Sequence, residues 1–555
     1  MEHFDLDYYG RLRDLPNDVI AREFEWRYPE RANAAIEVCD RHAQEGRGLA
    51  IRWLGIDGST RDVTYTEARA TTNRVANMLA RHGVEEGDRV FTVLPRIPEH
   101  WLVLMGAWKV GAITSCLSTT FAAEAFAVRI RDARPKVVVT IAKHRDRVAP
   151  ACREVGALLV EVDDDGPEGL HDRLSSESEE FTPIIRGIHD AAFLFYTSGT
   201  TGPPKGSVHS TAQLVGGLAL NAVALDVRPD DVYWPTSDLG WVAGFILTFS
   251  ALCQGVPFLA VESDFDADLY WLILAKEEVT NLFAVPTFLR MLRRREAILV
   301  EEEGLTLSLR RGGSVGEALD PATLQWAKER LGITVFEFYG QTEHGAGACT
   351  NRPGYEIRPG SLGLPFPYLD LRILDEDGNE VPRGEEGEIV TKADYPALFK
   401  GYYNQPAKTA ETLRGDGWHR TGDLAHMDSD GYVWFHSRKD DVISSGGYRI
   451  GPSEVEGALL AHPAVRDAAV VGKPDEVRGQ IVKAWVVADA PSDALAAELQ
   501  QYCRDTAGGW NYPREVEFIG ELPRTATGKV RRVELREIDA QRAKAEAKAR
   551  KSSYV

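Results

Sequence analysis

Short apolar runs alternate with amphipathic stretches through the first three quarters of this chain, and that alternation limits the fold more than any other feature. RVFTVLP (89–95), KVVVT (136–140), AAFLFYTS (191–198) and PFLAVE (257–262) have the length and β-branched or aromatic content of buried strands. Between them, TEARATTNRVANMLARHG (66–83) and PATLQWAKERLG (321–332) carry apolar residues at helical spacing. Strand-helix alternation of this kind predicts layered α/β architecture. At 555 residues the chain is too long for one core, so it must divide. From about Gly363 the texture becomes short strands and Gly/Asp turns, as in LDLRILDEDGNEVPRGEEGEIV (369–390), with DEDGNE and SDGY as hairpin turns. This predicts a β-rich subdomain over about 363–437, closing a large N-terminal domain of residues 1–439. Beyond RKDD (438–441), GPSEVEGALLAHPAVRDAAVVGKP reads as a helix followed by a strand, with Ser453 and Glu456 in a capping box. Residues 440–555 are therefore expected to form a small mobile α+β lid, ending in an Ala-rich charged helix.

Composition narrows the partners. The balance of 64 basic and 84 acidic side chains, net −20, disfavours nonspecific binding to nucleic acid or anionic membranes. The six cysteines are scattered, which argues against a disulfide framework or a thiolate zinc site. No apolar run reaches the ~18 residues of a membrane span, and the acidic, aromatic start MEHFDLDYYG is unlike a signal peptide. A cytoplasmic protein with no integral membrane segment is expected, with homo-oligomerisation left open.

The segment FLFYTSGTTGPPKGSVHS (193–210) runs from an apolar strand into a loop of hydroxyl residues, glycines and prolines. Glycines let backbone amides approach an anion closely, hydroxyls bond phosphate oxygens, and Lys205 adds a positive charge. The Walker pattern fails, because Gly199 and Gly202 precede Pro203-Pro204-Lys205-Gly206 and no hydroxyl follows the lysine. Further on lie GSVGEAL (313–319), FEFYGQTEHG (336–345), DGWHRTGDL (416–424), SRKDDVISSGGYRIGPSEVE (437–456) and PRTATGKVRR (523–532). Together, and in this order, these six segments resemble the adenylate-forming superfamily, and most closely its AMP-dependent medium-chain acyl-CoA synthetases.

The resemblance implies a two-step reaction in which a carboxylic acid and ATP give acyl-AMP and pyrophosphate, and coenzyme A then displaces AMP. It implies that Thr197, Ser198, Gly199, Thr200, Thr201, Gly202 and Lys205 hold the outer phosphates, with Thr200 and Glu343 beside Mg2+. Gly316, Glu317, Ala318, Tyr339, Gly340, Gln341 and Thr342 would surround adenine, with Tyr339 stacked on it. Asp423 would accept both ribose hydroxyls with Arg438 assisting. Lys529 would stabilise charge where carboxylate meets the α-phosphate. Asp440 takes the hinge position, Gly446 and Gly447 the pantetheine tunnel, and Arg449 a nearby family arginine.

The same resemblance places the acyl chain against Trp241, Val242, Ala243, Val315 and Gly340. Acetate-specific members carry tryptophan in place of Gly340, so glycine implies an open apolar pocket. With each buried CH2 worth about 0.8 kcal/mol, such a pocket favours a medium-chain or short fatty acid over acetate. His344 departs from the small residue usual in the subgroup. It would either narrow the chain length or bond a polar substrate, against the commoner structural role of a lone histidine. Acetyl, propionyl and aromatic acids, a separate carrier protein as acceptor, and a non-catalytic nucleotide sensor are the alternatives.

Overall fold

The computed structural model describes residues 2–552 apart from 165, 198–203, 264–265, 304, 317–318, 320, 446–447, 476–477, 507–511 and 525–529. Among the described residues, two large sheets, a four-stranded sheet and the two-stranded pair Arg31–Ala32/Arg186–Gly187 make up the N-terminal domain, and a fifth sheet with flanking helices makes up the smaller C-terminal domain.

The first large sheet has seven strands. Arg89–Val93, Ile113–Cys116, Val137–Thr140 and Leu158–Glu161 run parallel and are linked by the helices Pro98–Lys109, Ala123–Ala133 and Ala142–Val155. Their near-continuous Val/Ile content reflects burial on both faces. Ala191–Thr197 extends the parallel set, and Lys205–Ser210 folds back antiparallel beside it. Gly401–Tyr402 pairs with Ser207 and Val208 at the edge.

The second sheet has nine strands. Its parallel core contains Asn281–Phe283, Arg311–Ser314 and Val335–Tyr339, with short antiparallel strands at both edges. Leu371–Leu374, Gly387–Lys392, Trp418–Met427 and Val433–Arg438 form a four-stranded antiparallel sheet, the last two joined by the Asp428–Tyr432 turn with Gly431 at φ +92°.

In the C-terminal domain the helices Pro452–Ala461 and Asp493–Thr506 close over a five-stranded sheet, burying Ile443, Val455, Leu459, Val482 and Leu499. The capping box expected at Ser453 does not form. Pro452 opens the helix with Gly451 at the cap position, so Ser453 lies one residue inside it. Glu456 instead accepts the Val470 amide at 2.7 Å and the Arg532 guanidinium at 2.6 Å. All six cysteines are free and buried. No described helix is long and apolar enough to cross a membrane.

Candidate functional site

In parallel α/β sheets, ligands bind beyond the carboxyl ends of the strands. Here the strand Val335–Tyr339 ends directly in Gly340, Gln341, Thr342 and Glu343, and its parallel neighbour Arg311–Ser314 ends in Val315 and Gly316. Gly316 has φ +99°, the left-handed region that favours glycine, and among the described residues nothing lies within 4 Å of its Cβ position.

The polar centre is Asp423, only 3% exposed. Its Oδ2 accepts the Tyr339 hydroxyl at 2.5 Å and the Gln341 amide at 2.6 Å, and its Oδ1 accepts Arg438 Nη1 at 2.9 Å. Asp423 and Arg438 are register partners across the hairpin, which explains why residues fifteen apart meet. Burial and then the Asp423 charge push the Tyr339 hydroxyl well above its ordinary pKa, so it stays a donor. A carboxylate offers about four lone-pair positions, of which three are filled. Among the described residues the fourth, on Oδ1, is open, so accepting two further hydroxyls together would require one of these three donors to let go.

Glu343 sits in the 3-10 turn Thr342–His344. Its backbone carbonyl accepts the Phe399 amide at 2.8 Å, and its Oε1 accepts the Tyr402 hydroxyl at 2.7 Å. Gly345 closes the turn at φ +68°, and a Cβ there would lie 2.2 Å from the Ala397 carbonyl oxygen. His344 does not face a pocket. It is fully buried, its Nδ1 accepts the Gln341 amide at 3.1 Å, and its Nε2 donates to Thr391 Oγ1 at 3.2 Å. Burial and then neighbouring His419 push its pKa well down, so it is a neutral structural cap; neither substrate-facing role applies.

Thr197 and Lys205, which flank the Gly/Ser/Thr loop, are paired across the antiparallel ladder. Lys205 Nζ lies 4.8 Å above the Tyr402 ring. Ser198, Gly199, Thr200, Thr201 and Gly202 lie outside the described residues, as do Glu317, Ala318, Gly446, Gly447 and Lys529. Asp440 falls in the 3-10 turn Lys439–Asp441 and Arg449 in the strand Tyr448–Ile450, both described in backbone only.

Trp241 caps the helix Val242–Cys253, its ring 6.4 Å from that of Phe121. Val242, Ala243 and Tyr339 are half-buried against one core cluster that includes Val315. Gly340 stands in close quarters. A Cβ there would lie 2.7 Å from the Ala346 carbonyl oxygen and 3.3 Å from Gly347 Cα. The 345–348 backbone already occupies the space at that Cβ.

Among the described residues, one acidic trio has metal-like spacing, Glu515, Glu517 and Asp539. The ammonium of Lys483, 1% exposed, bonds all three at 2.9, 2.7 and 2.5 Å, so they neutralise a buried lysine. Tyr402 is the site residue that sequence reasoning missed. No local pattern in GYYNQPAKT marks it, because its contacts arise only from strand pairing.

The end of the parallel strand Val335–Tyr339 thus brings an aromatic and a carboxylate beside Asp423, which stands on the four-stranded antiparallel sheet. The AMP-binding enzyme family profile matches residues 39–403, and the AMP-binding enzyme C-terminal domain profile matches residues 454–529. The chain belongs to this family of AMP-binding, adenylate-forming enzymes. It is 37% identical over 539 residues to the mitochondrial acyl-coenzyme A synthetase ACSM4 of Homo sapiens, covering 92% of this chain and 91% of that protein. It is 35% identical over 513 residues to the acetyl-coenzyme A synthetase of Bacillus subtilis strain 168, covering 90% and 89%. Among solved structures, ATP-bound MatB from Rhodopseudomonas palustris is 31% identical with a TM-score of 0.83, covering 91% of this chain and 98% of that one.

Proposed function

We propose that this chain is an AMP-forming acid–thiol ligase. It converts a carboxylic acid and ATP to acyl-AMP and pyrophosphate, then transfers the acyl group to coenzyme A with release of AMP. The substrate is a medium-chain or short fatty acid. The observation that supports this reading best is the Tyr339–Gln341–Asp423–Arg438 cluster, joined through a single strand end to Glu343.

The residues divide the work by charge. Asp423, neutralised by Arg438, accepts ribose hydroxyls, and Tyr339 presents its ring to adenine. Lys205 and the 197–202 loop hold the outer phosphates, drawing charge from the departing pyrophosphate. Mg2+ prefers hard oxygen donors with one or two carboxylates per ion, and Glu343 with the Thr200 hydroxyl would hold it. When bound, it supplies neutralisation of the phosphate charge. Lys529 stabilises the charge that builds at the α-phosphorus as the substrate carboxylate attacks. Trp241, Val242, Ala243 and Val315 line the acyl end, and Asp440, Gly446, Gly447 and Arg449 serve the hinge and the thiol passage.

Purified protein with ATP, Mg2+, coenzyme A and a panel of C2–C12 acids should form acyl-CoA with stoichiometric AMP and pyrophosphate. ADP as product would overturn the reading, and acyl-AMP that accumulates despite free coenzyme A would point to a carrier-protein acceptor. Lys529→Ala should abolish acyl-AMP formation while sparing thioester formation from supplied acyl-AMP. Equal loss of both steps would remove Lys529 from the adenylation role.

A further inference from the structure

We infer that Tyr402 is a positioning residue that couples Lys205 to the carboxylate of Glu343; the inference rests on the proposed metal and phosphate roles of Glu343 and Lys205. Tyr402 is 8% exposed and lies where three parts of the fold meet. Its strand pairs with the strand that Lys205 opens, in register Ser207 with Tyr402. Its ring lies 4.8 Å below the Lys205 ammonium, within cation–π range. Its hydroxyl donates to Glu343 Oε1 at 2.7 Å.

A buried tyrosine hydroxyl needs some acceptor, so the bond to Glu343 alone would be unremarkable. The surroundings restrict it further. The Tyr402 amide donates to Thr409 Oγ1 at 2.9 Å, and the Phe399 ring packs edge-on at 5.0 Å, fixing the backbone and the ring plane. The amide of that same Phe399 holds the Glu343 carbonyl. With backbone and one oxygen both held, rotation of the Glu343 carboxylate is restricted and its second oxygen has a defined direction. Partners of this kind orient a metal-binding carboxylate, and losing one costs about 10–100-fold in metal affinity.

Tyr402→Phe keeps the ring over Lys205 and removes only the hydroxyl; Tyr402→Leu removes both. ATP binding measured by calorimetry with and without Mg2+, and Mn2+ binding to the enzyme–ATP complex by paramagnetic resonance, separate the two functions. Tyr402→Phe should bind metal-free ATP as the parent does and weaken Mn2+ binding about tenfold. Its half-saturating Mg2+ for adenylation should rise equally, while thioester formation from supplied acyl-AMP is retained. Tyr402→Leu should additionally weaken metal-free ATP binding. Glu343→Gln serves as the control. If it leaves Mn2+ binding intact, the metal assignment of Glu343 fails and the inference falls with it. If it loses Mn2+ while Tyr402→Phe does not, the positioning role alone is overturned. A Tyr402→Phe protein that melts lower and loses both half-reactions equally would show a merely structural tyrosine and would also overturn it.

Discussion

Gly340 offers the sharpest test of how the acyl end is shaped. If the glycine is an absent wall, Gly340→Ala should trim the pocket slightly and Gly340→Trp should move preference towards acetate. The structure predicts otherwise. A Cβ at 340 would stand 2.7 Å from the Ala346 carbonyl oxygen, and ordinary contact begins at 3.4 Å, so the 345–348 turn must retreat by about 0.7 Å. That turn has little freedom. The Ala348 amide donates to the Tyr339 carbonyl at 2.6 Å, Gln213 Nε2 donates to the Gly345 carbonyl at 2.9 Å, and the Phe366 ring lies 2.5 Å from where a Gly347 Cβ would be. Overpacking a constrained site costs about 1–3 kcal/mol. Because Tyr339 both holds the turn and bonds Asp423, the strain falls on the nucleotide side. Gly340→Ala should therefore lower the melting temperature by a few degrees. It should also raise KM for ATP and depress kcat for every acid from C2 to C12 without reordering them. Thermal melts and the acid panel on Gly340→Ala and Gly340→Trp decide the matter. A Gly340→Ala enzyme with parental melting temperature and ATP dependence, but preference moved towards acetate, would refute the close-approach reading.

Acid should destabilise the fold through its buried neutral histidines. His42, His100 and His209 are each pushed down to about 4, and His419 to about 3, chiefly by burial, against 6.5 for the ordinary group. The unfolded chain binds these protons first, so stability falls as pH drops below 6.5, by roughly 2 kcal/mol per histidine between pH 7 and 5. A melting temperature that stays level across that interval would contradict their neutrality. Asp423→Asn should weaken ATP binding about 10–100-fold by removing charged acceptors. Tyr339→Phe, which frees one acceptor position, should change it by no more than about threefold; equal losses in the two variants would refute the lone-pair count. Gly447→Leu should still make acyl-AMP but fail to deliver it to coenzyme A, and unimpaired acyl-CoA turnover would refute the tunnel assignment.

What was legible in the sequence is what a local run can carry. The strand AAFLFYTS and the segment FEFYGQTEHG announce themselves because apolar content, small turn residues and polar strand ends follow one another along the chain. The parallel pairing of Arg311–Ser314 with Val335–Tyr339 then brings their carboxyl ends together, as layered α/β architecture demands. Asp423 and Arg438 were found separately by motif, and their meeting needed only the hairpin between them.

The rest depended on contacts between segments remote in sequence. Ser453 has the spacing of a capping box, yet Pro452, pre-set for the first helical position, moves the helix start and frees Glu456 to hold Arg532. In the sequence His344 stands between a substrate-facing role and the commoner structural one, and the fold decides for the second: the turn it caps is covered by Thr391 and His419, more than forty residues on. Gly340 is the instructive case. In a sequence a glycine registers as missing volume, and by comparison with tryptophan it suggests an open pocket. In the fold, the volume a side chain would need at residue 340 is taken by the backbone of residue 346. Whether residue 340 shapes the acyl end then turns on whether the Ala346–Gly347 backbone gives way to a side chain, which is what the Gly340→Ala and Gly340→Trp enzymes measure.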